Sequence, residues 1–216
     1  SNRYRRNIWQ TFRVILLEFA RKKIIPAAPQ IELPAKGARK RNALTRVQLN
    51  ALFPPDASLV RGVWRLEDPR EPKAEWLRLA ACASLMFYAG LRPQEARAVC
   101  ADQLLLDHHA ILVTRQTDAQ NQVVKYLKRA DSSNERYRVA ILHPRAEELM
   151  KWWLDAMDPS FLLFGSGEVP MTKDHLAKRI RIAYKQSGID VTTGRYSAYS
   201  GRYTWKTLIG ERLRPE

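Results

Sequence analysis

The sequence predicts an α+β fold, mainly α-helical, with one small three-stranded antiparallel sheet. Three observations lead there. Apolar residues recur at helical spacing through most of the chain, three short β-branched and aromatic stretches lie between residues 110 and 142, and Pro and Gly sit at the joints between them. With 216 residues, 45% of them hydrophobic and six of them Trp, the chain has the apolar material for a real core, which excludes wholesale disorder. The length suits one core with an appendage.

Taken in order, residues 3–22 carry Ile8, Phe12, Ile15, Leu16 and Phe19 on one helical face, with Arg3, Arg5, Arg6, Arg13, Arg21 and Lys22 largely elsewhere. One helix cannot bury its own stripe, so it is expected to pack on helices of a domain mostly absent from this sequence. Pro26, Pro29 and Pro34 interrupt regular structure, and KGARKR at 36–41 follows. That run reads as a linker, either a solvated connection or a strap that tracks phosphates. Thr45 is the expected N-cap of a short helix in LTRVQLNALF, where Val47, Leu49 and Leu52 pack and Pro54 and Pro55 stop it. Pro54 to Pro72 reads as a Pro-rich, charged excursion.

KAEWLRLAACASLMFYAG is apolar on nearly all sides and is the expected central buried helix, closed by Gly90. Pro93 suits the first position of a second helix, QEARAVC, with Arg92 at its N-terminal boundary. AILVT at 110–114, QVVKYL at 122–127 and YRVAIL at 137–142 are the three expected strands. Pro144 opens the amphipathic helix RAEELMKWWLDAM, whose Trp152 and Trp153 read as core and edge packing. A further helix is expected from about Thr172 to Gln186 with Gly188 after it, and a last one from near Ser200.

The 37 Lys and Arg against 22 Asp and Glu leave a net charge of +15, and the excess is unevenly placed. Residues 1–46 hold 12 basic and 2 acidic groups, residues 47–170 hold 15 and 16, and residues 171–216 hold 10 and 4. Basic ends around a balanced middle point to a polyanion met by the ends. No apolar run approaches the roughly 18 to 20 residues of a membrane span, and SNRYRRN is not followed by a signal-peptide apolar stretch, so a soluble, intracellular protein is expected. Cys82 and Cys100 read as free buried thiols. His108, His109, His143 and His175 lack metal-ligand spacing and read as surface or capping residues.

AGLRPQEARAV at 89–99 resembles the first arginine box of the tyrosine recombinases, the phage-integrase family, which reads T-G-L-R-x-x-E-L. LTRVQLNALF resembles the family's L-T-x-x-E-x-x-x-L opening, and YSGRYTWKT at 199–207 resembles its second box, H-x-L-R-H-T-F-A-T. The resemblance covers nearly the whole chain. It implies an integrase catalytic-domain fold over residues 44–216, a basic linker over 26–43, and in residues 1–25 the last helix of a core-binding domain. It also implies a set of catalytic residues: Arg92 and Arg202 as the two phosphate-binding arginines, Glu95 orienting Arg92, and Lys128 as the lysine of the sheet, with Lys125 as its alternative. Tyr199 falls where the family usually has His and Tyr203 on the residue after the arginine, both departures. The family's remaining His or Trp and its nucleophilic Tyr lie one and two helices beyond the second arginine, and only 14 residues follow Arg202, so that segment is expected to be missing from this sequence.

The chemistry so implied is attack of a tyrosine phenolate on a DNA phosphodiester, giving a 3′-phosphotyrosyl link and a 5′-hydroxyl. Guanidiniums donate paired hydrogen bonds to the non-bridging oxygens as charge builds there, and an ammonium near the leaving oxygen supplies its proton. Neither cofactor nor metal is implied. The implied partner is double-stranded DNA, contacted by Lys36, Arg39, Lys40, Arg41, Lys173, Lys178 and Arg195, with self-association into a synaptic tetramer on DNA and no membrane. A cytoplasmic, nucleoid-associated protein of bacterial or phage origin, carried by a mobile element, is expected. The alternatives are a non-catalytic DNA-binding relative with a degenerate site, a type IB topoisomerase, and a basic RNA-binding module.

Overall fold

The computed structural model describes residues 2–33, 42–66, 68, 70, 72–125, 137–157, 162–192 and 196–212. The chain forms two compact units, Ser1–Lys40 and Arg41–Glu216. In the first, helix α1 (Asn2–Arg21) follows the predicted apolar period, and Ile8, Phe12, Ile15 and Phe19 on that stripe are exposed. None of the described helices is long and apolar enough to cross a membrane.

The second unit is built around α4 (Glu75–Tyr88), whose residues from Leu79 to Phe87 are all fully buried. Continuous apolar sequence with small residues (Ala80, Ala81, Ala83) lets other helices approach on every side, and α4 is contacted by α3 (Ala57–Trp64), α5 (Pro93–Arg97), α6 (Pro144–Ala156), α7 (Lys173–Gln186) and α8 (Ser200–Arg212). α2 (Arg46–Leu52) is capped as expected. The Thr45 hydroxyl accepts from Gln48 N and the Gln48 side chain accepts from Thr45 N, satisfying two end donors reciprocally. Replacing Thr45 by Ala removes one of them and should lower stability by about 1 kcal/mol in urea titration. α2 buries Leu49 and Leu52 but leaves Val47 80% exposed, against expectation, because three apolar residues in seven do not fit one narrow face.

The Pro54–Pro72 segment also departs from expectation, since it contains α3. The Asp56 carboxylate accepts from Ser58 N at 2.8 Å and Leu59 N at 3.3 Å, and Val60 and Trp64 turn inward. Trp64 then stacks on Phe53 and donates to Leu52 O at 2.9 Å, which recruits α3 to the core that Pro-rich composition concealed. α6 begins at Pro144 with His143 as N-cap, and Trp153 is buried with its indole donating to Leu163 O, while Trp152 lies partly exposed under Arg145. α7 begins after Thr172 and ends before Gly188, as predicted. Cys82 and Cys100 are buried free thiols, and burial pushes Cys82 up to about 12.

The three-stranded antiparallel sheet is present with altered membership. β1 (Leu104–Leu105), β2 (Ala110–Val113) and β5 (Arg138–Ile141) pair in the order β1-β2-β5, with Ile111 opposite Ala140 and Val113 opposite Arg138. Among the described residues, the expected strand in QVVKYL contributes β4 (Val123–Val124), which pairs with β3 (Gln116–Thr117) in a separate hairpin. Its turn is made by Asp118, whose carboxylate accepts from Gln120 N and Gln122 N, and by Asn121 in the left-handed region. The second expected helix, QEARAVC, is also shorter and ends at Arg97.

Candidate phosphate-binding site

Gly90 makes the turn from α4 into α5. Its φ of +67° lets the chain reverse so that Leu91 N returns to Leu85 O, and Pro93 then fixes the first helical residue of α5. Arg92 stands at the boundary. Glu95, one turn on, is completely buried and reaches back, accepting from Arg92 N at 2.7 Å and from Arg92 Nη1 at 2.6 Å. The orienting contact expected between Arg92 and Glu95 is therefore present.

Glu95 also accepts from Arg138 Nη2 at 2.5 Å, so one carboxylate holds two guanidiniums. Burial pushes Glu95 up, but the Arg138 charge and the hydrogen bonds from Arg92 and Arg138 outweigh it and hold the carboxyl below its ordinary value. Arg138 was not among the expected site residues. Alternation in YRVAIL points to Val139 and Ile141 as the buried face, yet these are 54% and 67% exposed, whereas Ala140 is buried and Arg138 shares its side of the strand.

Arg202 arrives from α8. Its Nη1 donates to Gly90 O at 2.5 Å, across 112 residues of sequence. Burial, then the nearby charges of Arg92 and Arg138, push the Arg202 guanidinium below its ordinary value, partly offset by Glu95. α8 gets this close because Gly201 lies against Met86 and Trp205 lies on Gly90, which has no side chain to obstruct it. The base of α8 is fixed by Ser200 Oγ, which accepts from Ser197 N.

Tyr199, where a His was the family's usual residue, exchanges hydrogen bonds with the Gln94 side chain at 2.9 and 3.1 Å, and Tyr203 is exposed. Gln94 was also missed, since nothing local marks a partner 105 residues away. Behind the site, Arg97 is buried and donates to the neutral oxygens of Pro93, Thr117, Asn121 and Met171, tying the β3–β4 hairpin to α5 and to the approach to α7. Lys125, the alternative family lysine, is exposed just after β4, and Lys173 and Lys178 are exposed on α7. Lys128, Lys36, Arg39, Lys40, Arg41 and Arg195 lie outside the described residues. The structure thus brings Arg92, Glu95 and Arg202 together, adds Arg138, and seats Tyr199 beside Gln94.

Chemically, three guanidiniums around one buried carboxylate form a cationic seat suited to a phosphate group. No family model matches the sequence. No curated protein matches it either. Among solved structures, the chain is similar to the Tn1549 transposon integrase in complex with a circular intermediate DNA, at 13% identity and a TM-score of 0.70, over 95% of this chain and 66% of that one. It is also similar to the XerA recombinase, at 16% identity and a TM-score of 0.56, over 92% and 59%, and to the XerH site-specific recombinase bound to its difH substrate, at 14% and 0.55, over 86% and 48%. The chain spans about two thirds or less of the length of each. Its fold is that of the integrases and site-specific recombinases, the tyrosine recombinase fold.

Proposed function

We propose that this chain belongs to a site-specific DNA recombinase of the integrase type, which binds duplex DNA and, when complete, breaks and rejoins strands through a 3′-phosphotyrosyl intermediate. The observation that carries this is the meeting of Arg92 and Arg202, from two distant boxes, beside the buried Glu95. On this proposal the two guanidiniums bind the non-bridging oxygens of one phosphate, and Glu95 orients Arg92. Lys128, or Lys125 in its place, gives a proton to the departing 5′ oxygen as the tyrosine–phosphorus bond forms. Residues 1–25 are the last helix of a core-binding domain, joined by the 26–43 linker to a catalytic domain at 44–216. Duplex DNA is gripped mostly through phosphates, by Lys36, Arg39, Lys40, Arg41, Lys173, Lys178 and Arg195, and copies of the protein assemble on it. The similarity to solved integrases and recombinases in DNA complexes supports DNA as the partner.

One observation favours the alternative, a DNA-binding relative without strand cleavage. An imidazole titrates near neutrality and takes a nucleophile's proton, whereas a phenol with a pKa of about 10 only exchanges hydrogen bonds, and that of Tyr199 already does so with Gln94. A nicked suicide DNA substrate incubated with the protein expressed from its whole gene distinguishes the two. A covalent protein–DNA adduct is expected for the recombinase, with a larger yield for Tyr199→His. A whole-gene product that binds DNA without any adduct assigns the chain to the alternative, and a DNA affinity that does not fall with salt removes both.

A further inference from the structure

Arg138 lies outside both arginine boxes, yet it shares the buried carboxylate of Glu95 with Arg92 and lies close enough to Arg202 for its charge to be felt there. Its side chain is 30% exposed and that of Arg92 24%, so both stay reachable by a ligand while Glu95 is sealed beneath them.

The charge arithmetic bears on what the seat prefers. Arg92, Arg202 and Glu95 alone sum to one positive charge, which matches a phosphodiester in its ground state. With Arg138 the sum is two, which matches the pentacovalent phosphorus of the transition state, whose non-bridging oxygens carry one negative charge more. A group that favours the more highly charged state over the ground state lowers the barrier, whereas equal binding of both does not.

We infer that Arg138 is a third guanidinium of the phosphate seat, a positioning residue that shares Glu95 with Arg92, keeps it from neutralising Arg92, and tunes the seat to a dianionic phosphate. This rests on the phosphate-binding role proposed above for Arg92 and Arg202. It makes the β5 strand, not only the two boxes, part of the site.

Inorganic phosphate is the probe, because it passes from monoanion to dianion across a pH range in which every arginine stays charged. Sulfate, a dianion throughout, corrects for titration of the protein itself. Calorimetry on the full chain should show tighter binding of phosphate on the alkaline side of its second ionisation, with sulfate nearly constant. Arg138→Gln should weaken dianion binding at least about tenfold while changing monoanion binding far less. Arg138→Lys, which keeps the charge and also serves if the Gln variant folds poorly, should retain the dianion preference. Equal weakening of both anions by Arg138→Gln, no weakening, or loss of the preference in Arg138→Lys overturns the inference while leaving the seat intact. Failure of a different kind, with wild-type phosphate binding absent or insensitive to Arg92→Ala and Arg202→Ala, removes the seat itself and this inference with it.

Discussion

Replacing Glu95 by Gln should destabilise the domain by about 3–5 kcal/mol in urea titration at neutral pH, the cost of removing one partner from a buried ion pair. Two guanidiniums converge on this one fully buried carboxylate, and an amide cannot accept from both while offering its own N–H to them. The pH dependence carries a sign. Because the Glu95 carboxyl is held below its ordinary value in the fold, the stability it contributes is fully present above the unfolded-state carboxyl value and is lost as pH falls through the lowered folded value. The wild-type protein should therefore lose stability on acidification more steeply than Glu95→Gln, and the two curves should converge at the acid end. Parallel curves would mean that Glu95 titrates alike folded and unfolded, which contradicts its three charge-assisted contacts.

Gly90→Ala should have an effect of similar size for a different reason. A Cβ there would lie 2.4 Å from Trp205 Cδ2 and would occupy a backbone with φ of +67°. The left-handed backbone costs an L-residue about 1–2 kcal/mol. Overpacking adds about 1–3 kcal/mol. The substitution also pushes α8 away from the carbonyl that Arg202 binds, so phosphate affinity should fall together with stability. Trp205→Leu placed on top of Gly90→Ala should recover the steric part and not the backbone part. A double variant no more stable than the single one would show that the indole is not what the methyl meets.

Elements that announce their own ends were legible in the sequence. α2, α6 and α7 each carry a capping residue or N-terminal Pro, and α4 is too apolar to lie anywhere but the centre. α3 escaped because prolines and charges surround it, although Asp56 is an ordinary N-cap and Trp64 an obvious anchor in hindsight. β1 and β3 are two residues long and leave no period to detect. In the site, Arg92, Glu95 and Arg202 were found through motifs. Arg138 was hidden by a strand that turns its β-branched residues outward, and Gln94 and Tyr199 meet through a contact that no local pattern encodes. Local physics writes helices and caps into neighbouring residues, whereas a site made of side chains from α5, β5 and α8 is specified only by their packing.

The hydrogen bond from Leu44 N to Thr204 Oγ1, at 2.8 Å, joins the residue that leads into α2 to the middle of α8 across 160 residues. Thr204 in turn donates to Ser200 O, so the acceptor is itself held within the last helix. On a ribosome, where chains emerge at about 5–20 residues per second, the start of this domain is made several seconds before its fastener. Until α8 has been made, Leu44 N has no Thr204 hydroxyl to donate to. The helix that supplies Thr204 also supplies Arg202, so the partner of Leu44 N and the partner of Gly90 O are made together.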